Sequence, residues 1–167
     1  EKVLKVNPIH VDALNNKGIA LMGLKRFDEA LNIFKTILKI KPNFLNAINN
    51  IANCYKLIGN YEDAIEYYQR AINIKPNYIE SIFNIGICFY ELNKFDDAEK
   101  KYIEAIKINP SFIEANFALY IIKLLKGNYK EGLPLYEWRK KEPSAYATAS
   151  TRKQIDKITS HMKKMKL

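Results

Sequence analysis

Residues 45 to 78 read LNAINNIANCYKLIGNYEDAIEYYQRAINIKPNY, and the order of apolar residues in this stretch decides the fold. Ile48, Ile51, Ala52 and Tyr55 follow one another at steps of three, one and three, which puts them on one face of a helix. Gly59-Asn60 interrupts that helix. A second helix begins near Tyr61, with Ala64, Tyr68 and Ala71 on its inner face. Lys75-Pro76-Asn77 ends it, because proline cannot continue a helix and restricts the residue before it. The stretch predicts a helix-turn-helix.

The same beat runs through most of the chain. Pro8, Pro42, Pro76 and Pro110 stand 34 residues apart. Ala30, Ala64 and Ala98 repeat at that interval, as do the aromatic sets Phe27, Tyr61, Phe95 and Phe34, Tyr68, Tyr102. So do Gly18, Ala52 and Gly86, and the two cysteines, Cys54 and Cys88. A fixed period of this length is the mark of a repeat architecture. The alanines let the second helix of each unit pack close against the first.

This Leu/Ile, Gly/Ala, aromatic, Ala, aromatic, Pro pattern resembles the tetratricopeptide repeat family. The resemblance covers three full repeats, 11–44, 45–78 and 79–112. It implies an all-α, right-handed superhelical solenoid of helix-turn-helix repeats. Residues 1–10, EKVLKVNPIH, read as the end of a preceding repeat's second helix, and a start in mid-helix without methionine is expected of a fragment of a longer protein. Residues 113–146 read as a degenerate fourth repeat. Gly127-Asn128-Tyr129 keeps the register, but Gly132 replaces the packing alanine and Ser144 the proline. Pro134 fits a helix that starts near Leu133, where proline is tolerated in the first turn. Residues 143–150 read as a linker. Ile155, Ile158, Met162 and Met165 then recur at helical steps, so 147–167 reads as a basic amphipathic capping helix of the kind repeat arrays need.

Composition sets the outer bounds. With 48% hydrophobic and 27% charged residues in 167, the chain can bury a core. No apolar run approaches the roughly 20 residues of a membrane span, and no signal peptide is visible. Two cysteines are too few for a disulfide scaffold or a zinc site of their own. The expectation is a soluble cytoplasmic protein. Of the net charge of +9, the last 29 residues carry +7, leaving +2 for the first 138. That is a basic tail on a balanced body, not a basic binding face. The tail from Arg152 to Lys166 leaves contact with nucleic acid or an anionic membrane surface open as an alternative to capping.

In a solenoid the first helices line the concave wall. Opposite the core face of the second repeat lie Asn46, Asn49, Asn50, Asn53, Lys56 and Leu57. The equivalent first-repeat set includes Asp12, Asn15, Asn16, Ile19 and Met22; the third includes Glu80, Phe83, Asn84, Ile87 and Tyr90. Asn16, Asn50 and Asn84 recur at the repeat period. An asparagine amide carries both acceptor and donors, so a row of them can grip an extended peptide backbone. This row is similar to the asparagine ladder of the O-linked N-acetylglucosamine transferase repeats, which implies a peptide site at Asn16, Asn50 and Asn84 with Asn15, Asn49, Asn53, Lys56, Phe83, Ile87 and Tyr90 around it. Bracing of neighbouring helices is the other use of such asparagines. The clamp with which this family binds acidic chaperone tails has Lys, Asn, Asn, Lys and Arg where this chain has Asn15, Ile19, Asn50, Glu80 and Asn84. Only Asn50 matches. Further on, Phe117, Ile121, Leu124 and Leu125 continue an apolar stretch that is either a partner site or covered by the chain itself.

Residues 127–139, GNYKEGLPLYEWR, are similar to the segment that closes the repeat region in bacterial repeat proteins carrying a glycosyltransferase-like or a sulfotransferase domain. The resemblance implies a substrate-recognition arm of such an enzyme as an alternative setting. Pro134 departs from that pattern. No catalytic constellation is present: His10 and His161 stand at opposite ends, the glycines form no phosphate loop, and the cysteines sit beside core positions. The chain reads as a non-catalytic protein-interaction module without cofactor or metal. Its partner is a protein or peptide, with self-association through open edge repeats a further option.

Overall fold

The computed structural model describes residues 10–132. The tail of the preceding repeat, the Leu133 helix start, the linker and the final helix therefore lie outside the described residues. Among the described residues every regular element is a helix. In chain order these are α1 (Val11–Gly23), α2 (Phe27–Ile40), α3 (Leu45–Leu57), α4 (Tyr61–Ile74), α5 (Ile79–Glu91), α6 (Phe95–Ile108), α7 (Ile113–Leu125) and α8 (Tyr129–Gly132). The chain divides into two compact units, Glu1–Lys94 and Phe95–Leu167, so the helices of the third repeat, α5 and α6, belong to different units. No helix among the described residues is long and apolar enough to cross a membrane.

The turns between paired helices share one construction. After α3, the Asn60 amide donates to the Tyr55 carbonyl at 2.9 Å and the Gly59 amide to Lys56 at 3.2 Å. This is a Schellman closure, which needs a left-handed residue just past the helix. Gly59 supplies it with φ +84°, and Gly127 does so after α7 with φ +73°. At the same repeat position Lys25 (φ 59°) and Asn93 (φ 57°) take that conformation without being glycine. A left-handed lysine carries steric strain that glycine does not. Lys25→Gly is therefore expected to raise stability by about 0.5–1 kcal/mol, seen as a higher melting temperature; an unchanged or lower one would show that the turn holds no such strain. Asn60 and Asn128 also cap the following helices, accepting from the Asp63 and Glu131 amides at 3.4 Å each.

In the first unit the core runs from Leu14 and Leu21 through Leu31, Phe34 and Ile37 to Ala47, Ile51 and Cys54. A second cluster joins Ala52, Ala64, Tyr68, Ile85 and Cys88. Phe34 is fully buried and presses on α1 at Gly18, where an added methyl would lie 2.5 Å from the ring's Cε1. The small residue is thus a seat for the aromatic of the second helix. The expected face of α3 is buried at Ile48, Ile51 and Ala52 and half-buried at Tyr55, but Ala47 and Cys54 are fully buried too. They lie on a second covered face, because α3 is packed by α2 behind it as well as by α4.

In the second unit Ala98, Tyr102 and Ala105 of α6 and Leu119, Ile121, Ile122 and Leu124 of α7 are buried. A methyl added at Gly132 would come within 3.2 Å of Lys123 Cβ and 3.3 Å of Leu124 Cδ2, so α8 approaches α7 closely enough to explain the missing alanine. Leu124 is consequently covered by the chain itself and Ile121 is buried as well, while Phe117 and Leu125 are half-buried.

Candidate functional site

The polar residues expected on the first helices come together in the first unit and are already linked to one another. Asn50 on α3 donates its side-chain amide to Asn15 Oδ1 on α1 at 3.0 Å. Ser81 Oγ on α5 donates to Asn49 Oδ1 at 3.1 Å, and Lys56 Nζ donates to Asn84 Oδ1 at 2.7 Å. Each link ties one first helix to the next. Asn50 and Asn84, at the recurring asparagine position, both reach back to the preceding first helix. Asn16 holds that position in α1, is exposed, and lines an open cavity of about 640 Å³ with Ala13, Lys17, Ala20, Leu21 and Leu24.

The bonds leave part of each amide's capacity unused. An asparagine offers two N–H groups and an acceptor oxygen with two lone pairs. Asn50 gives one N–H to Asn15, and Asn84 receives Lys56 on its oxygen. Neither bond consumes the rest of those groups. Asn53 is different, since it turns inward to accept the Tyr68 hydroxyl at 2.5 Å and holds α4 against α3. Asn15 is buried, and Phe83 is buried while Ile87 and Tyr90 are half-buried. The sequence-based reading missed Ser81, which is fully buried and stands where the first two repeats have Ala13 and Ala47. A polar residue at a core position of the period was the available signal.

Electrostatics separate the cations. Burial lowers the Lys56 pKa from its ordinary value. Burial pushes the Cys54 thiol up to about 11 and the Cys88 thiol up to about 12, so neither carries thiolate at neutral pH. Both are unpaired thiols packed as apolar residues. His10 is used structurally, its Nδ1 accepting the Ala13 amide at 3.2 Å at the start of α1. Among the described residues no group of His, Cys, Asp and Glu is placed to hold a metal ion.

Paired helices, a small residue seating the aromatic of the second helix, and a left-handed closure at each turn together define a helical-hairpin repeat protein. The chain belongs to the tetratricopeptide repeat family, whose sequence profile matches residues 10–77 and 43–111. Among solved structures it is similar to MamA at 24% identity and a TM-score of 0.73, covering 82% of this chain and 80% of that one. A MamA structure spanning residue 41 to the end, from Desulfovibrio magneticus RS-1, gives a TM-score of 0.73 at 18% identity over 84% and 82% of the two chains. The first tetratricopeptide repeat domain of Spaghetti (RPAP3), bound to the HSP90 peptide SRMEEVD, gives 0.66 at 20% identity over 70% and 93%. At these identities the likeness is one of fold. No curated protein matches the chain by sequence.

Proposed function

We propose that the chain is a protein-interaction module that holds an extended peptide along the first helices of its first unit. The observation that supports this most is the row of asparagines whose bonds to one another leave outward capacity. Asn50 keeps an N–H and lone pairs, and Asn84 keeps both N–H groups. A peptide unit presents one donor and one acceptor, which such amides satisfy together without reading side chains. The inter-helix bonds serve the same end, since they hold the amides in place before a peptide arrives and so reduce the ordering cost of binding. Spaghetti offers a peptide-bound example of this fold. The clamp lysines and arginine are missing here, so an acidic chaperone tail is not the expected ligand.

Changing Asn16, Asn50 and Asn84 together to alanine is expected to weaken capture of a degenerate pool of extended peptides by about 100-fold, from roughly 1 kcal/mol per lost hydrogen-bonding position. Helicity by circular dichroism should stay near native. Capture retained by the triple variant, with its helices intact, would overturn the ladder.

Segment 127–139 supports a second setting, in which the module is the substrate-recognition arm of a glycosyltransferase or sulfotransferase. Only its start, Gly127-Asn128-Tyr129, falls among the described residues, where it forms the turn into α8. Reading the gene beyond Leu167 tests this directly: a continuing transferase domain is the expected result, and an unrelated continuation or a stop codon overturns it.

A further inference from the structure

Lys56 stands apart from the other cations of the chain. Among the described residues four are partly withdrawn from solvent: Lys56, Arg70, Lys101 and Lys123. Lys101 faces Glu104 at 2.8 Å, and Lys123 faces Glu99 at 2.5 Å and Glu131 at 2.6 Å. Arg70 donates to the Pro42 carbonyl. Among the described residues Lys56 donates to the neutral Asn84 oxygen and takes part in no ion pair. An ammonium has three N–H donors, so two remain for another acceptor. Withdrawing a cation from water without a counter-charge is costly, and a ligand carboxylate would remove that cost. The placement is not required by the repeat, because the equivalent residues are Met22 and Tyr90.

We infer that Lys56, bonded to Asn84, is the subsite for an aspartate or glutamate side chain of the bound peptide. The inference rests on the peptide-binding reading above and adds to it a charge preference at one position. Asn84 beside it keeps its N–H groups for the peptide backbone, and the ammonium takes the carboxylate with a charge-assisted bond, about twice as strong as a neutral one. Lys56 lies outside the positions of the chaperone-tail clamp, and it offers one charge where that clamp offers three.

The test uses two degenerate nonapeptide pools, acetylated and amidated at their ends, that differ only at the middle residue, glutamate in one and glutamine in the other. Blocked ends keep terminal charges out of the comparison. The native chain is expected to retain the glutamate pool about tenfold better, with the advantage shrinking as salt is raised. In Lys56→Met, which installs the residue of the first repeat, the two pools should be retained alike. Equal retention of both pools by the native chain would overturn the Lys56 subsite and leave the peptide groove standing. Retention of neither pool would overturn the groove and this subsite with it.

Discussion

Replacing Phe34 with alanine lowers the stability of the first unit by about 3–5 kcal/mol. The ring is fully buried, and its edge lies so close to α1 that a single methyl at Gly18 would sit 2.5 Å from Cε1. Nothing on that side can expand to fill the space, because Gly18 has no side chain. Leu14 and Leu21 of α1 and Leu31 and Ile37 of α2 belong to the same buried cluster, whose helices are fixed by the turn between them. The cavity therefore stays largely open, and its cost adds to the lost transfer energy of the ring. Small domains have only about 5–15 kcal/mol in total, so one such change is a large share. In a repeat protein each unit is stabilised mainly by its neighbours, and α1 and α2 should open first. Urea unfolding should show a lower midpoint with an unchanged slope, and amide exchange should accelerate in α1 and α2 before α4. A loss below about 1 kcal/mol would show that the ring is not seated on Gly18.

That contact was legible in the sequence only in part. The recurrence of Gly18 with Phe34 and of Ala52 with Tyr68 marks both as packing positions, and Pro76 and Gly59 gave the ends of α3 and α4 within a residue or so. Lys25 and Asn93 gave no sign of a left-handed backbone, because neither residue type demands it. Only their register with Gly59 and Gly127 carries the information. Ala47 and Cys54 escaped because a hairpin taken alone buries one face of its first helix, whereas a stacked one buries two. The candidate site shows the same limit. Helical spacing puts the asparagines on a shared surface, but whether Asn50 spends an N–H on Asn15 depends on the separation of α1 and α3, which the sequence does not encode locally. The inward turn of Asn53 is likewise set by where the Tyr68 hydroxyl arrives from α4. Helical spacing places Lys56 on that same surface, but its withdrawal from water against Asn84 left no mark in the sequence, since a lysine opposite a core face ordinarily points into water.

Among the described residues the ion pairs that join one helix to another lie in the second unit, and this makes it sensitive to acid. Glu99 on α6 is only 13% exposed and accepts Lys123 Nζ of α7 at 2.5 Å and Nζ of Lys126, the residue that follows α7, at 2.7 Å. Lys126 also reaches Asp96 at 2.6 Å, and Lys123, 14% exposed, reaches Glu131 on α8 at 2.6 Å. Burial alone would push the Glu99 pKa up, but the hydrogen bonds from Lys123 and Lys126 outweigh it and hold the carboxyl below its ordinary value. Asp96 and Glu131 are lowered as well, by hydrogen bonds from Lys126 and Lys123 respectively. A carboxylate whose folded pKa lies below its unfolded one contributes stability that is complete above the unfolded value, near 4.3 for glutamate, and is lost as pH falls through the folded value. Glu99→Gln keeps the shape of the side chain and removes the charge between two lysines. At pH 7 it should cost about 1–2 kcal/mol, allowing for solvent screening of the exposed partners. The difference from the native chain should shrink steadily from about pH 5 to pH 3, since the native carboxyl is itself being protonated over that range. Urea melts of the intact chain at those pH values, with amide exchange reading α6 and α7 separately, measure it. A penalty of equal size at pH 7 and pH 3 would mean that Glu99 acts by shape and hydrogen bonding, and that its charge does not hold α6 to α7.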